Sequence, residues 1–530
     1  MSGADNIEAT HSHGETVTGN DTAVEKPASL TKGEVADEGY DLFDETSPQA
    51  VPEEAANAVR RKIDLHLLPL MCALYGLNYV DKVAMGWAVL FDFREDLGLV
   101  GTEYSWSSSM FYFGYLIAQY PANFILQRYQ TARILSFSIL AWGVLMLAYE
   151  VTEPAIPHLG LRNFAGLMVV RFLLGAAESV VTPGFVLYTS MFYARKEQVM
   201  RTMLWAAMQG AFSIIASLMS FGLGHITNTA LRPWKYIFLV LGLLSILIGF
   251  GWLFLMPQTP NKARFLTHEE QVIAVQRVAQ NMMGIKGYQW KNYQLWHTLK
   301  DPKTWLVLAF VLFTQLPNGG LTSFGSLVIS GFGFDSFRTL LIGLPSSVVS
   351  AGSMLIWGTF SIKYGNLRTW GMIVPLLPAI AGIAAVYATM NTGANKYGRV
   401  FAYWLINSYA VTWPFVLTIV GQNVAGHTKR AFTHTLLLIV FAAGNIAGPF
   451  FFRAGDAPGY VLAIASILVF FCVALFCAVA LRLCMQFENR RRDRAFGALA
   501  SMPEELRVDG MRLGMHDKTD LENPDFRYVL

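Results

Sequence analysis

Two ionisable residues that could do chemistry, Arg171 and Glu178, lie seven positions apart in an apolar segment that runs roughly from 164 to 188. On a helix, residues at this spacing differ by about 20° in azimuth, so both side chains project from nearly one face. A charge near a bilayer centre costs at least about 2.5–3.5 kcal/mol, so a spanning helix that carries two needs a polar interior. The pair could be a structural ion pair or a site that handles an anion and a proton.

A second polar face lies in the first apolar block, where Asn78, Asp81 and Lys82 stand at positions i, i+3 and i+4. Lipid cannot satisfy such groups, so this face must look into protein or into a water-filled cavity. Gln209 places a further polar side chain in the fifth apolar block.

The chemistry of these groups assigns their roles. The guanidinium of Arg171 is always charged and offers a planar fork that suits a carboxylate. Glu178 and Asp81 are the two acids deep in the apolar blocks of the first half, and a buried carboxyl can carry a proton. We therefore expect an anion to bind Arg171, Lys82, Asn78 and Gln209, with Glu178 or Asp81 carrying the proton; an ion-pair strut is the alternative for each acid.

The second half offers weaker candidates. Asn318, flanked by Pro317 and Gly319-Gly320, is expected to interrupt the seventh apolar block and to join the binding site, although a kink that only aids gating is equally compatible. The string Gly444 to Pro449 favours close helix packing. Six aromatic residues could line a cavity for a planar substrate or serve as packing groups and interfacial anchors: Tyr75, Tyr79, Tyr115, Trp205, Tyr409 and Trp413.

The whole chain has the composition of a membrane protein. Of its 530 residues 54% are hydrophobic and 15% charged, and the mean hydropathy is +0.39. About twelve apolar blocks are long enough to span a bilayer. They lie near 65–90, 105–126, 134–151, 164–188, 203–226, 235–256, 304–331, 338–360, 370–390, 398–421, 431–452 and 459–484. We predict an all-α membrane protein with 12 transmembrane helices in two six-helix, pseudo-symmetric bundles that rock about a midplane site.

The polar stretches set the expected domain boundaries. Residues 1–59 carry a net charge of −11 and no apolar run, which predicts a disordered, acidic cytosolic tail. In this tail a ubiquitin ligase could reach Lys26 or Lys32. Two bundles are expected at 60–256 and 303–485. Between them a cytosolic linker, 257–302, contains the capping-box string Thr267-His268-Glu269-Glu270, which predicts a short helix. A second cytosolic tail is expected at 486–530.

Lysine and arginine in the short loops predict the orientation. One set of loops holds 16 of these residues and the opposite set holds 8. By the positive-inside rule both termini and the linker are cytoplasmic. Separately, we expect the protein to be a monomer and to lie in the plasma membrane. The same rule accounts for the net charge of +14 outside the acidic tail, so no nucleic-acid partner is expected.

Several strings resemble the anion:cation symporter branch of the major facilitator superfamily, and within it the fungal allantoate-permease group. They are Arg61-Lys62-Ile63-Asp64, Asp81-Lys82, Arg171-Phe172-Leu173-Leu174-Gly175, the run 192–198, Asn318-Gly319-Gly320 with the run 331–334, and the run 423–430. The resemblance covers about residues 60–485. It implies carriage of small organic anions, usually with protons, through a site that matches Asp81, Lys82, Arg171 and Glu178. Two positions depart from the family pattern, because Lys82 stands where arginine is usual and Ala84 where asparagine is usual.

Three function classes remain open: a proton-coupled importer of an organic anion, which we favour, an exporter of a fungal metabolite, and a non-transporting nutrient sensor. The drug:proton antiporter branch is disfavoured because no proline follows Gly210 through Ile226. The sequence contains no nucleophile motif, metal-ligand spacing or phosphate-binding glycine loop, so neither an enzyme nor a cofactor is expected. The four cysteines lie in apolar blocks and suggest no disulfide.

Overall fold

A computed structural model describes residues 52–149, 164–226, 231–279, 291–364, 367–390, 392, 395–496, 519–523 and 526–530. The expected disordered tail, apart from its last residues, lies outside this range, as do Lys26 and Lys32. Every element of the described chain is helical.

The first half forms a group of helices before the central linker. It comprises α1 (Glu53–Ala88), α2 (Phe93–Asp96), α3 (Glu103–Arg128), α4 (Thr131–Leu147), α5 (Phe164–Glu178), α6 (Val181–Phe192), α7 (Arg195–Gly224) and α8 (Pro233–Leu255). The linker contains α9 (His268–Ala279) and α10 (Asn292–Lys300). Within this first group α1 packs on α7 and α8, α3 on α5, and α4 on α8.

The second half forms a corresponding group. It comprises α11 (Pro302–Ser330), α12 (Ser336–Tyr364), α13 (Arg368–Ile373), α14 (Leu376–Thr389), α15 (Lys396–Ile406), α16 (Thr412–Asn423), α17 (His427–Ala447) and α18 (Val461–Phe496). Here α11 packs on α17 and α18, and α14 on α15 and α18. The two groups meet mainly through the helix pairs α7 with α12, α3 with α17, and α1 with α11.

Ten helices in the described chain are long and apolar enough to cross a membrane. These ten include the joined pair α5–α6 and the segment from α15 to α16. The 17-residue α4 is a shorter apolar helix, and α3 is 26 residues long but carries a run of serines near its start. With α3 and α4 in the second and third positions, the helices follow the order that the apolar blocks predicted.

The fourth apolar block is broken, although the sequence suggested one continuous span. α5 ends at Glu178, a turn follows at residues 179–180, and α6 begins at Val181. Pro183 explains the break because it has no N–H to donate to the carbonyl of Ser179, four residues earlier. Glu178 therefore stands at the end of a helix inside the bundle.

The seventh block, in contrast, is not interrupted. α11 runs continuously from Pro302 to Ser330 through Pro317 and Gly319-Gly320, which corrects the expected break at Asn318. The glycines serve helix packing instead, because a Cβ on Gly319 would lie 2.5 Å from the carbonyl oxygen of Asn445 in α17. The packing interpretation of the Gly444 to Pro449 string is confirmed by the same crossing, since a Cβ on Gly448 would lie 2.3 Å from the carbonyl oxygen of Leu316.

The tightest helix crossing joins α3 and α5 through two glycines. A Cβ on Gly114 would lie 1.9 Å from the carbonyl oxygen of Phe172, and one on Gly175 would lie 1.8 Å from that of Phe111. Each glycine thus admits the backbone of the opposite helix. This crossing fixes the position of α5, and with it Arg171 and Glu178.

We expect Gly175→Ala to separate α3 from α5 and to lower the free energy of unfolding by about 3 kcal/mol, because the new methyl group meets backbone rather than a movable side chain. The thermal unfolding midpoint of the detergent-purified protein measures this. Gly352→Ala is the matched control, since no atom lies within 4 Å of a Cβ at that helical position. A Gly175→Ala protein as stable as the control would contradict the crossing.

The two groups touch at the end of the molecule where α1 ends and α3 begins, called here the far end; the end where α1 begins is the terminal end. At the far end Tyr104 donates a hydrogen bond to the carbonyl oxygen of Ser323 at 2.8 Å, and Ser105 donates to that of Pro449 at 3.2 Å. Ser217 of α7 donates to the carbonyl oxygen of Leu340 of α12 at 3.1 Å. These uncharged contacts close the far end.

The linker helix α9 is tied to the first group at the terminal end. Its capping box is confirmed, since Thr267 N–H donates to Oε2 of Glu270 at 3.0 Å and Glu270 N–H to Oγ1 of Thr267 at 3.4 Å. The ammonium of Lys62 in α1 bonds the Glu270 carboxylate and lowers its pKa. Arg277 donates to both carboxylate oxygens of Glu197 in α7 at 2.8 Å. α1 itself begins at Glu53, so the last residues of the expected tail are helical.

The end of the chain is tied to the second group by buried charges. We call residues 519–523 and 526–530 the C-terminal strap. The strap lies at the terminal end of the molecule, where it contacts α10, α17, α18 and the start of α11. The ammonium of Lys429 lies 2.7 Å from Oδ1 of Asp520 and 2.8 Å from Oδ2 of Asp301, and none of these side chains is more than 2% exposed. Tyr528 donates to Oδ2 of Asp520 at 2.8 Å.

The backbone of the C-terminal strap is also bound by side chains. Asn423 accepts from Val529 N–H at 2.7 Å and donates to the Val529 carbonyl oxygen at 2.8 Å, and Asn489 makes the same double contact with Tyr528 at 2.9 and 2.8 Å. These bonds satisfy backbone N–H and carbonyl groups of the strap, which would otherwise need water as a hydrogen-bond partner. The expected cytosolic tail at 486–530 therefore includes a docked segment.

Candidate functional site

A central cavity lies between the two helix groups. It encloses about 1190 Å³ of space, counting its opening to solvent. Four of the residues predicted to bind substrate line it: Asn78, Lys82, Gln209 and Asn318. All six predicted aromatic residues line it as well, and Phe111 and Tyr112 join them. Aromatic and polar side chains thus share the wall of the cavity in similar numbers.

The charged element of the cavity wall is Lys82. Its ammonium donates to Oε2 of Glu178 at 2.5 Å and to the side-chain oxygen of Asn78 at 2.8 Å, and Asn78 donates to the same Glu178 oxygen at 2.6 Å. The Lys82 side chain is 18% exposed, whereas that of Glu178 is fully buried. The cation therefore meets the cavity while its counter-ion stands behind it. Lys82 also lies 5.2 Å from the centre of the Phe111 ring.

The opposite wall is polar but uncharged. Asn318 donates to Oδ1 of Asn445 at 2.8 Å and accepts from the hydroxyl of Tyr409 at 3.0 Å. Asn445 in turn donates to Oε1 of Gln315 at 3.1 Å. Sequence reasoning missed Gln315, although its position three residues before Asn318 puts both on one helix face.

Two predicted site residues lie behind the cavity wall rather than on it. Asp81 and Arg171 are 0% and 2% exposed, and neither lines the cavity. The Asp81 carboxylate interacts electrostatically with Glu178, Lys82 and Arg171, and the side chain of Trp142 faces it as a hydrogen-bond donor. The Arg171 guanidinium carbon lies 5.8 Å from the centre of the Tyr149 ring. Direct contact of Arg171 with a substrate stays a prediction, and the geometry favours Lys82 for that contact.

The four charged groups of this cluster, Lys82, Arg171, Glu178 and Asp81, balance one another. Lys82 and Arg171 carry two positive charges, and Glu178 and Asp81 carry two negative charges when both are ionised. An added anion leaves the cluster with one unbalanced negative charge, which protonation of either carboxyl removes. The arrangement can therefore bind an anion and a proton together. In the ranges that the structure covers, no group of three or more His, Cys, Asp or Glu side chains could hold a metal ion.

The fold and its central cavity define an integral membrane protein of the transporter class. The chain belongs to the Major Facilitator Superfamily, whose family model matches residues 71–449. The all-α prediction of two bundled helix groups in this fold is thereby confirmed, and the superfamily consists of transporters rather than enzymes.

Curated relatives cover nearly the whole chain. The allantoate permease of Saccharomyces cerevisiae is 34% identical over 506 residues, which are 93% of this chain and 90% of the relative. An uncharacterized transporter of Schizosaccharomyces pombe is 33% identical over 491 residues, 92% of this chain and 91% of the relative. A thiamine pathway transporter of Saccharomyces cerevisiae is 28% identical over 479 residues, 90% of this chain and 87% of the relative. The predicted resemblance to fungal allantoate-permease-like transporters is confirmed.

Solved structures share the fold. The proton:xylose symporter XylE superposes with a TM-score of 0.62 at 12% identity, covering 80% of this chain and 95% of that one. A bacterial homologue of the lysosomal transporter Spinster, in an inward-facing and occupied conformation, gives a TM-score of 0.55 at 15% identity, covering 80% and 97%.

Proposed function

We propose that this protein imports a small organic anion together with a proton by alternating access. The observation that carries the proposal is the Lys82–Glu178 pair, which places a cation on the wall of the cavity and a carboxylate immediately behind it. The substrate class is a small carboxylate such as a ureide, a vitamin acid or an amino acid. The allantoate permease among the relatives supports this class.

Competition for Lys82 provides the coupling. While Glu178 is ionised it holds the Lys82 ammonium at 2.5 Å, and a substrate carboxylate must compete with it. Protonation removes the negative charge of Glu178 and frees Lys82 for the substrate. By linkage the bound anion then raises the affinity of the site for the proton by the same factor. Arg171 and Asp81 complete the charge balance from behind the wall.

The neutral loaded cluster explains why the two ligands travel together. With the anion and the proton both bound, the cluster carries no net charge through the low-dielectric interior. With either ligand alone it carries one uncompensated charge, which is costly there. The distribution of lysine and arginine supports cytoplasmic termini, so the far end, where the two groups are in contact, would face outward. The plasma membrane is the proposed location.

We expect Lys82→Gln to reduce uptake to less than a tenth of the wild-type rate, because the cavity then has no cation on its wall. Lys82→Arg should retain transport, since a guanidinium keeps the charge and adds a second parallel hydrogen bond. Lys300→Gln, which removes an exposed lysine, is the matched control.

Two claims can be tested together: that the protein imports an organic anion with a proton, and that Lys82 binds this anion. The test is uptake of labelled allantoate, nicotinate, pantothenate and gluconate at pH 5 and pH 7.5 in cells that lack their own permeases. The proposal expects one of these acids to be accumulated, faster at pH 5, in a Lys82-dependent manner. Equal accumulation by the wild type and Lys82→Gln would show that the anion binds elsewhere. Loss of a preloaded acid from the cells, with no uptake, would assign export.

A further inference from the structure

The start of α3 carries a polar string that the central cavity does not use. It opens a helix whose remaining length is mostly apolar, and it reads Tyr104-Ser105-Trp106-Ser107-Ser108-Ser109. Residues 104 and 108 are four apart, as are residues 105 and 109, so these four side chains share one side of the helix. All four are buried and contact the second group. We call these four residues the α3 latch.

Two serines of the α3 latch bind the end of α17. Ser109 donates a hydrogen bond to the carbonyl oxygen of Ile446 at 2.7 Å, and Ser105 donates to that of Pro449 at 3.2 Å. α17 ends at Ala447, and carbonyl groups in the last turn of a helix lack their usual N–H partners. Pro449 moreover has no N–H to give to Ile446, three residues before it. The serines thus supply donors to backbone carbonyls at this helix end.

The other two residues of the α3 latch bind α11 at Ser323. Tyr104 donates to the carbonyl oxygen of Ser323 at 2.8 Å, and the Ser108 hydroxyl lies 2.5 Å from the Ser323 hydroxyl. The Tyr104 ring also packs edge-on against Phe324, with the ring centres 5.0 Å apart. A short stretch of α3 therefore holds both α11 and α17.

The contact at Ser109 can break without leaving its donor unpaired. The carbonyl oxygen of Ser105, four residues earlier in α3, lies 3.0 Å from the Ser109 hydroxyl. This hydroxyl has one proton, which can turn from the Ile446 carbonyl to the Ser105 carbonyl when the groups separate. An unpaired buried donor is the main cost of losing a hydrogen bond, and this second acceptor removes that cost.

We propose that the α3 latch sets the orientation of the empty cavity: it holds the far end closed, and its release opens that end. Its hydroxyls join α3 of the first group to α11 and α17 of the second, where these groups must part if the cavity is to open at the far end. The proposal rests on alternating access, which is part of the proposed function, but not on the substrate or on proton coupling.

Removal of the serine hydroxyls should shift the empty protein toward a conformation that is open at the far end. A hydrogen bond between membrane helices is worth about a factor of three in such an equilibrium. We therefore expect Ser105→Ala/Ser109→Ala to raise the ratio of open to closed protein about tenfold, and Tyr104→Phe alone to raise it about threefold. Alanine favours the helix and phenylalanine keeps the ring, so neither variant should prevent folding.

The thiol of a Ser323→Cys variant reports the separation of α3 from α11. Ser323 is buried between these helices, so a maleimide reaches a thiol there only while the helices are apart. Every protein compared carries Ser323→Cys, keeps the native Cys477, and has alanine in place of Cys72, Cys472 and Cys484. The alkylation rate of the full-length protein in lipid nanodiscs, without substrate, is measured at each site by mass spectrometry.

The Ser105→Ala/Ser109→Ala variant should react about tenfold faster at the Ser323→Cys thiol, while the rate at Cys477, which is buried in α18, stays the same. Ser107→Ala/Ser136→Ala is the matched control, because these buried hydroxyls donate to carbonyl oxygens of their own helices at 2.7 and 2.9 Å. The control should change neither rate.

A change below about twofold at the Ser323→Cys thiol would overturn the proposal. An equal rise in the control variant, or an equal rise at Cys477, would also overturn it, because either result shows general loosening of the protein. The assay contains no substrate, so this failure differs from failure of the proposed function. Uptake by Lys82→Gln at the wild-type rate would refute the anion site and leave the α3 latch standing.

Discussion

Replacing Glu178 with glutamine should abolish accumulation of the substrate while leaving its exchange across the membrane intact. The amide resembles the protonated carboxyl, so it no longer competes as an anion for Lys82, which lies 2.5 Å from the carboxylate in the wild type. Substrate should then bind without a proton, and the pH dependence of uptake should disappear. Labelled substrate in proteoliposomes measures both processes, first with an imposed pH gradient and then with unlabelled substrate inside and no gradient.

The companion variant Asp81→Asn decides which carboxyl carries the proton. Asp81 is fully buried and belongs to the same charge cluster, but it is not bonded to Lys82 as Glu178 is. We therefore expect Asp81→Asn to retain part of the pH-driven accumulation. Full pH-driven accumulation by both variants would exclude coupling through this cluster. Glu95→Gln, at an exposed site outside the spans, is the control.

Replacing Lys429 with methionine should destabilise the protein by about 3–5 kcal/mol, the usual cost of removing one partner from a buried ion pair. Asp301 and Asp520 would then lack the ammonium that both contact, although Lys303 stays 2.8 Å from Asp301. The thermal unfolding midpoint and hydrogen exchange at the Tyr528 and Val529 amides measure this change. Lys363→Met, at an exposed lysine near the same end, is the matched control.

The C-terminal strap has a predictable response to pH. Burial by itself raises the pKa of Asp301, but the ammonium groups of Lys429 and Lys303 hold it below the ordinary value of 3.8. Its contribution to stability is thus complete above about pH 4 and is lost as the pH falls through the lowered pKa. Burial raises the pKa of the Tyr528 hydroxyl, which stays a neutral donor to Asp520.

The Lys429→Met variant also tests the role of the C-terminal strap. If its thermal unfolding midpoint and its amide exchange at Tyr528 and Val529 are the same as in the wild type, that role is contradicted.

The sequence predicted the helices and part of the site because both depend on local periodicity. The spacing of Asn78 and Lys82 puts them on one face of α1, and their polarity directs that face to the interior. The spacing of Arg171 and Glu178 does the same for α5. Whether a side chain meets the cavity or the space behind it depends on how α5 packs between α3 and α4. Periodicity does not specify this, so it predicts that Arg171 faces the interior but not that Arg171 lies behind the cavity wall.

The remaining differences have distinct physical causes. The break after Glu178 had a signal in Pro183, which sequence reasoning passed over. Asn318 carries strong helix-breaking neighbours, yet tight packing on α17 keeps α11 continuous. The C-terminal strap had no signal at all, because Asp520 and Lys429 are 91 residues apart and the segment shows no periodicity. Pairing of this kind is visible only once the fold brings the residues together.

Ion pairs hold each helix group together and tie it to its linker helix or to the C-terminal strap. Asp64–Arg201 joins α1 to α7 within the first group, and Glu197–Arg277 ties α7 to α9. Lys429 ties α11, α17 and the C-terminal strap together. The far-end contacts between the groups use hydroxyls, carbonyls and glycines. Separation of the groups at that end would break these uncharged contacts rather than the ion pairs named above, so ionic strength should change the stability of each group more than the balance between the two orientations of the cavity.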